Sequence, residues 1–192
     1  MSFLTGTSME VLYSSVATGT QLNTFTTEDQ LQKTLPYCII PAGFFFNSGA
    51  TGKCLKVKAW GRLGTTGTPT FTFTVRLLTS STWSAAGIGF SSAAITCGSG
   101  VTLAPWELEM EIVLRTLATG AASTLACGGF VRGGTAFAAG GGLYSIPGAN
   151  TAFTSTSFDN SVTNYLFLSA ACGTSNASNL IQLEMLKVYG EN

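Results

Sequence analysis

"APWELEMEIVLRT", residues 104–116, decides how this chain folds. Trp106, Leu108, Met110, Ile112 and Leu114 fall on every second position, and Glu107, Glu109 and Glu111 fall between them. A two-residue period puts the apolar side chains on one side of a β-strand and the carboxylates on the other. Glutamates two apart on a strand stand roughly 6.6–6.8 Å apart, within the ~5–9 Å over which paired carboxyls hydrolyse glycosides. Such chemistry needs one acid held protonated by burial, and apart from Val113 this face is polar. The expected reading is a solvated face, with Lys56, Lys58 and Arg62 on a neighbouring strand offsetting the charge.

The same alternation recurs on both sides of this stretch. "TPTFTFTVRLLT" (68–79) sets Phe71, Phe73, Val75 and Leu77 against Thr70, Thr72, Thr74 and Arg76. "KCLKVKAWGRL" (53–63) sets Leu55, Val57, Ala59 and Leu63 against Lys56, Lys58, Trp60 and Arg62. The Gly/Thr/Pro turn between them predicts an antiparallel hairpin. A second hairpin is expected from 104–116 with "TLACGGFVRG" (124–133), and a third from "NYLFLSAACG" (164–173) with "NLIQLEMLKVY" (179–189). Near Leu186 the apolar register passes from odd positions (Ile181, Leu183, Met185) to even ones (Leu186, Val188), which predicts a β-bulge. Weaker strands are read at 9–14, 36–41 and 151–158, long glycine-rich loops at 85–100 and 133–150, and a helical or turn segment at 26–35. Many strands without crossover helices read as an all-β, antiparallel β-sandwich. A jelly roll is preferred, with an immunoglobulin-like sandwich as the other version. Residues 1–35 are expected to form an extended N-terminal arm, and 36–192 the sandwich.

Composition narrows the function. The 192 residues include 45% hydrophobic but only 9% charged ones, with zero formal net charge. That balance offers no electrostatic footprint for nucleic acid or an acidic membrane, and it leaves a free monomer poorly protected against association. Histidine is absent, which removes the commonest general base, the His-activated nucleophiles and most zinc sites. The five cysteines, Cys38, Cys54, Cys97, Cys127 and Cys172, form no C-x-x-C pair. They read as buried apolar residues of a reducing cytoplasm. No signal-peptide pattern or membrane-spanning apolar run is evident. No cofactor or metal is expected, and no enzyme.

Several residues invite a contact role. Phe3, Leu4 and Leu12 are apolar anchors in the polar N-terminal region. Phe44, Phe45 and Phe46 form an aromatic run that either packs into a core or interface or makes an exposed patch. Trp83, in a loop-like setting, is a candidate for stacking on a partner or a sugar. The glycine-rich stretch "GGFVRGGTAFAAGGGL" (128–143) lacks the G-K-[ST] of a phosphate loop. Asp159, Asn160 and Asn164 read as a turn rather than a cation site, and "NAS" (176–178) fits a glycosylation sequon.

Four motifs together resemble a group of virion proteins of tailed bacteriophages. They are Gly52, Lys53 and Leu55; Gly67, Thr68, Pro69 and Thr70; Pro105, Trp106, Glu107 and Leu108; and Ser178, Asn179, Ile181 and Leu183. The likeness spans about residues 36–190, and the extra cysteines and the 133–150 insert depart from it. The resemblance implies a jelly-roll module without catalytic residues. The first expectation is a capsid decoration (cement) protein, a homotrimer on the outer capsid surface with the major capsid protein as partner. It would be assembled in the host cytoplasm and would bind no nucleic acid and no membrane. A tail, baseplate or fibre module and a carbohydrate-binding receptor module remain as alternatives.

Overall fold

In a computed structural model of the protein, residues 9–45, 52–138, 142–148 and 154–191 are described. Their strands run in chain order β1 (Met9–Ser15), β2 (Leu22–Asn23), β3 (Asp29–Gln30), β4 (Cys38–Ile40), β5 (Cys54–Gly64), β6 (Thr70–Leu78) and β7 (Ile88–Ser91). They continue as β8 (Ile95–Thr96), β9 (Ala104–Thr116), β10 (Ser123–Arg132), β11 (Leu143–Ile146), β12 (Thr154–Phe158), β13 (Asn164–Cys172) and β14 (Leu180–Glu191). A 3-10 turn, Gly134–Ala136, separates β10 from β11. The described residues form two antiparallel sheets. The larger runs β1-β14-β5-β9-β10-β11, with β2 also on β14 and β12 also on β10. The smaller runs β3-β13-β6-β7, with β4 also on β13 and β8 also on β6. They pack face to face as a jelly-roll-like β-sandwich.

The alternating stripes read from the sequence form its core. Leu55, Val57, Ala59 and Leu63 of β5, Trp106, Leu108, Met110, Ile112 and Leu114 of β9, and Phe71, Phe73, Val75 and Leu77 of β6 are all buried. Each buried Leu or Phe contributes about 1.5–3 kcal/mol relative to exposure. Trp106 is buried with them, its ring 5.0 Å from that of Phe73 and its indole N–H donating to Arg62 O at 3.2 Å. Glycine is required opposite it, because a Cβ at Gly61 would come within 2.4 Å of the indole. The predicted bulge is present between Leu183 and Met185, where Glu184 is the unmatched residue. Met185 therefore leaves the inward set, and Leu186 and Val188 take over.

The 104–116 and 124–133 strands form the expected hairpin, β9 with β10. The other two expected hairpins are not hairpins. β5 lies in the larger sheet and β6 in the smaller; likewise β13 lies in the smaller and β14 in the larger. Both connections cross the sandwich. Because β5 neighbours β14 and β6 neighbours β13, the crossings run side by side and lock the two sheets together. Asn179, only 1% exposed, stitches them. Its Oδ1 accepts from Thr66 N at 2.8 Å and its Nδ2 donates to Thr174 O at 3.1 Å. Gly173 N closes the corner on Thr70 O at 2.8 Å.

Residues 9–35 do not form the arm expected of them. β1 pairs along β14 from Met9↔Glu191 to Ser15↔Leu186, β2 pairs Leu180 and Ile181, and β3 pairs Ser169 and Ala170. Leu31 is fully buried, and Gln32 Oε1 accepts from Leu168 N at 2.6 Å. A bidentate ion pair fixes the segment: Arg76 Nε and Nη2 reach Glu28 at 2.6 and 2.5 Å, and Ser169 Oγ donates to the same carboxylate. The 26–35 stretch is the short β3 followed by turns, with no helix. The stretches expected as loops carry edge strands, β7 and β8 in 85–100 and β11 in 133–150. Phe90 and Ile95 of the first enter the core.

Candidate functional site

Cross-strand register assembles the outer face of the larger sheet. Glu107, Glu109 and Glu111 point outward from β9, opposite Arg132, Phe130 and Gly128 of β10 and Trp60, Lys58 and Lys56 of β5. Each carboxylate has a cation. Arg132 forks onto Glu107 through Nε (2.6 Å) and Nη2 (2.5 Å), Lys58 meets Glu109 at 2.9 Å, and Lys56 meets Glu111 at 3.0 Å and Glu191 at 3.2 Å. Arg62–Glu184 (3.4 Å) and Lys53–Glu10 (3.5 Å) extend the network. The Lys58 ammonium beside it holds the Glu109 carboxyl below the usual carboxylate range. The Glu111 and Glu191 carboxylates hold Lys56 above the usual lysine value. A depressed carboxyl keeps its negative charge at neutral pH and makes a poor general acid. Among the described residues no cluster of three or more His, Cys, Asp or Glu side chains is arranged to hold a metal ion.

The row Trp60–Glu107–Arg132 across β5, β9 and β10 floors a shallow hollow of about 300 Å³. Pro105, Trp106 and the Gly133–Thr135 backbone wall it. Trp60 is half-buried, stands between Lys58 and Arg62 on its strand, and makes no ring stack with another described aromatic. The Arg132 guanidinium also lies over Phe130, 5.9 Å from the ring centroid. Sequence reading placed Trp60 on the polar face without singling it out. The available signal was an indole standing alone among charged neighbours.

The residues that were singled out lie elsewhere. Phe3, Leu4 and Phe46 fall outside the described residues. Leu12 is half-buried against the core. Phe44 and Phe45 are 6% and 0% exposed, so neither presents a contact surface. Phe45 packs edge-on against Phe44 (5.0 Å) and Phe158 (5.4 Å). Asn160 brackets its backbone, accepting from Phe45 N at 3.2 Å and donating to Phe45 O at 2.7 Å. Trp83 packs edge-on against Phe167 at 5.6 Å, over the outer face of the smaller sheet. A second hollow of about 350 Å³ lies beside that loop, lined by Leu78, Thr82, Phe158 and Asp159 among others.

Asp159, Asn160 and Asn164 form a turn as expected. Ser161 donates from both its N and its Oγ to Asp159 Oδ1, and these bonds lower the Asp159 pKa. Asn176 Oδ1 accepts from Ser178 N, so the sequon also closes a turn. All five cysteines are free thiols. Burial pushes the Cys38, Cys97 and Cys127 thiols up to about 12.

No protein-family model matches the chain, and no curated protein matches it. Among solved structures, peanut lectin with a 9-mer peptide (PVIWSSATG) is similar, with a TM-score of 0.42 and 9% identity over 97% of each chain.

Proposed function

We propose that the protein is a structural component of a tailed-bacteriophage virion, a capsid decoration protein that binds the outside of the shell as a homo-oligomer. The supporting observation is where the motifs behind the phage-protein resemblance fall in the fold. Gly67, with φ +65°, turns the β5–β6 crossing. Pro69 O accepts from Cys97 N, Trp106 sits over Gly61, and Asn179 ties the two crossings together. These positions belong to the framework, as expected for a scaffold whose task is to hold a shape.

The outer faces suit that task. A charge-paired sheet face can meet another protein without stranding an unpaired ion, the costly event in burying charges. Weak contacts repeated on a symmetric shell multiply through avidity. No catalytic step is assigned to the chain.

Electron cryomicroscopy of particles made with and without the protein tests this reading. Extra density spread over the icosahedral shell supports it. Density confined to the tail assigns the chain to a tail or baseplate module, and particles lacking the chain altogether refute a virion role. Because residues 9–35 are built into the sandwich, an arm contact is tested by deleting residues 1–8 alone, with Phe3 and Leu4. Unchanged capsid occupancy then removes the arm from the mechanism.

A further inference from the structure

We propose that the hollow over Trp60, Glu107 and Arg132 is a binding site for a neutral saccharide, a function that goes beyond capsid docking. The argument begins with what the floor excludes. Arg132 is neutralised by Glu107 at 2.5–2.6 Å, and Glu109 stands two residues further along β9 on the same face. A phosphate or sulfate entering there meets carboxylates and no free cation, so anionic ligands and nucleic-acid backbone are disfavoured. A purely apolar ligand is disfavoured too, because it would cover an ion pair and offer it no hydrogen bonds.

A pyranose meets both requirements. One of its faces presents polarised C–H groups, which the electron-rich face of an indole attracts. Its rim carries hydroxyls able both to donate and to accept. Trp60 supplies the platform. Both bonds from Arg132 land on Glu107 Oε2, which leaves Oε1 to accept from one hydroxyl and Arg132 Nη1 to donate to its neighbour. An acceptor and a donor side by side suit two adjacent hydroxyls, one donating and one accepting, and bonds to charged groups are the stronger kind.

Two further features fit. The ion pair and the Phe130 ring beneath the guanidinium hold the polar groups in one geometry before a ligand arrives, which reduces the ordering cost of binding. The wall is main chain, pinned by Gly133 N donating to Gly142 O at 2.9 Å, with Thr135 exposed on its rim. The volume, about 300 Å³, is at the small end for ligand sites and suits one sugar ring or a terminal residue of a glycan. Affinity for a single sugar at so open a site is expected to be millimolar, and useful only when a symmetric assembly presents many copies.

The test is ligand-observed saturation-transfer NMR on the full chain with glucose, galactose, mannose and N-acetylglucosamine, paired with the indole N–H spectrum of the three tryptophans. The expected result is transfer from at least one of these sugars, with a concentration-dependent shift of the Trp60 indole and none of Trp83, which packs on Phe167 away from the hollow. Trp60→Ala and Arg132→Met should each abolish transfer, Trp60→Phe should retain part of it, and an unchanged Trp83 resonance certifies the fold. Absence of transfer from all four sugars overturns the proposal, as does transfer that survives Trp60→Ala. Loss of capsid binding in Trp60→Ala without any sugar response also overturns it and assigns the row to a protein contact. Capsid binding unaffected by Trp60→Ala leaves the decoration reading standing whichever way the sugar result falls.

Discussion

Replacing Glu28 by Ala removes the carboxylate that holds the N-terminal segment to the smaller sheet. Arg76 is 13% exposed and Glu28 17%, so the pair is largely withdrawn from water. The variant leaves the guanidinium with only Gly87 O, at a long 3.4 Å, and leaves Ser169 with Thr74 O. Breaking a buried pair from one side costs about 3–5 kcal/mol. The residual exposure of Arg76 lets water in and sets the loss near the lower figure, about 3 kcal/mol. For a domain of this size that lowers Tm by roughly 6–12 °C. Urea melts followed by tryptophan fluorescence should show a lower midpoint with an unchanged m-value. The double variant Glu28→Met with Arg76→Met should recover most of the loss, because well-packed apolar residues commonly replace a buried pair at little cost. A Glu28→Ala protein within about 0.5 kcal/mol of the parent refutes the reasoning: residues 9–35 would then lie outside the cooperative unit, as a detached arm.

Asn179→Ala removes both stitches at the double crossing and should cost about 2 kcal/mol, read by the same melts, since each hydrogen bond contributes about 1 kcal/mol net. The three thiols pushed by burial from the ordinary thiol range up to about 12 bind protons in the folded state that the unfolded chain releases. Their contribution is complete below about pH 9 and declines as pH rises toward 12, so stability should fall through that window, and Cys38→Ala, Cys97→Ala and Cys127→Ala together should flatten the fall. In native protein at pH 8 a thiol reagent should label Cys54, the one cysteine that is not buried, well ahead of the other four, while all five react in urea. Lys58→Met should return the Glu109 pKa upward toward the ordinary carboxylate value, measured by carboxyl carbon NMR; no movement removes the Lys58 bond as the cause of its depression.

The strands with long alternation were legible because one buried face imposes a two-residue period, and β5, β6 and β9 carry it over eight residues or more, while β14 carries it on either side of its bulge. The bulge near Leu186 was legible for the same reason, as a slip in that period. Which strands share a sheet was not. "GTTGTP" and "TSNAS" have turn composition whether they close a hairpin or cross a sandwich, and only the distant partners β9 and β14 decide the matter for β5. Two-residue strands such as β2, β3 and β8 are too short to show any period. The N-terminal region read as an arm because its buried residues, Leu22 and Leu31, enter the core one at a time. Of the candidate site, the solvated glutamate face and its lysine partners followed from period and charge. The burial of Phe44 and Phe45 and the hollow over Trp60 depend on register between strands far apart in sequence.

The position of β14 has a consequence for how the chain reaches this state. β14, late in the order of synthesis among the described strands, is an interior one, flanked by β1 and β2 on one side and β5 on the other. Until it arrives, β1 and β2 have no partner in the larger sheet and β5 keeps one edge bare, so the sandwich cannot close before β14 has emerged. Unsatisfied strand edges of that kind pair with whatever they meet. A premature stop before Leu180 is therefore expected to yield an aggregating polypeptide rather than a smaller folded one.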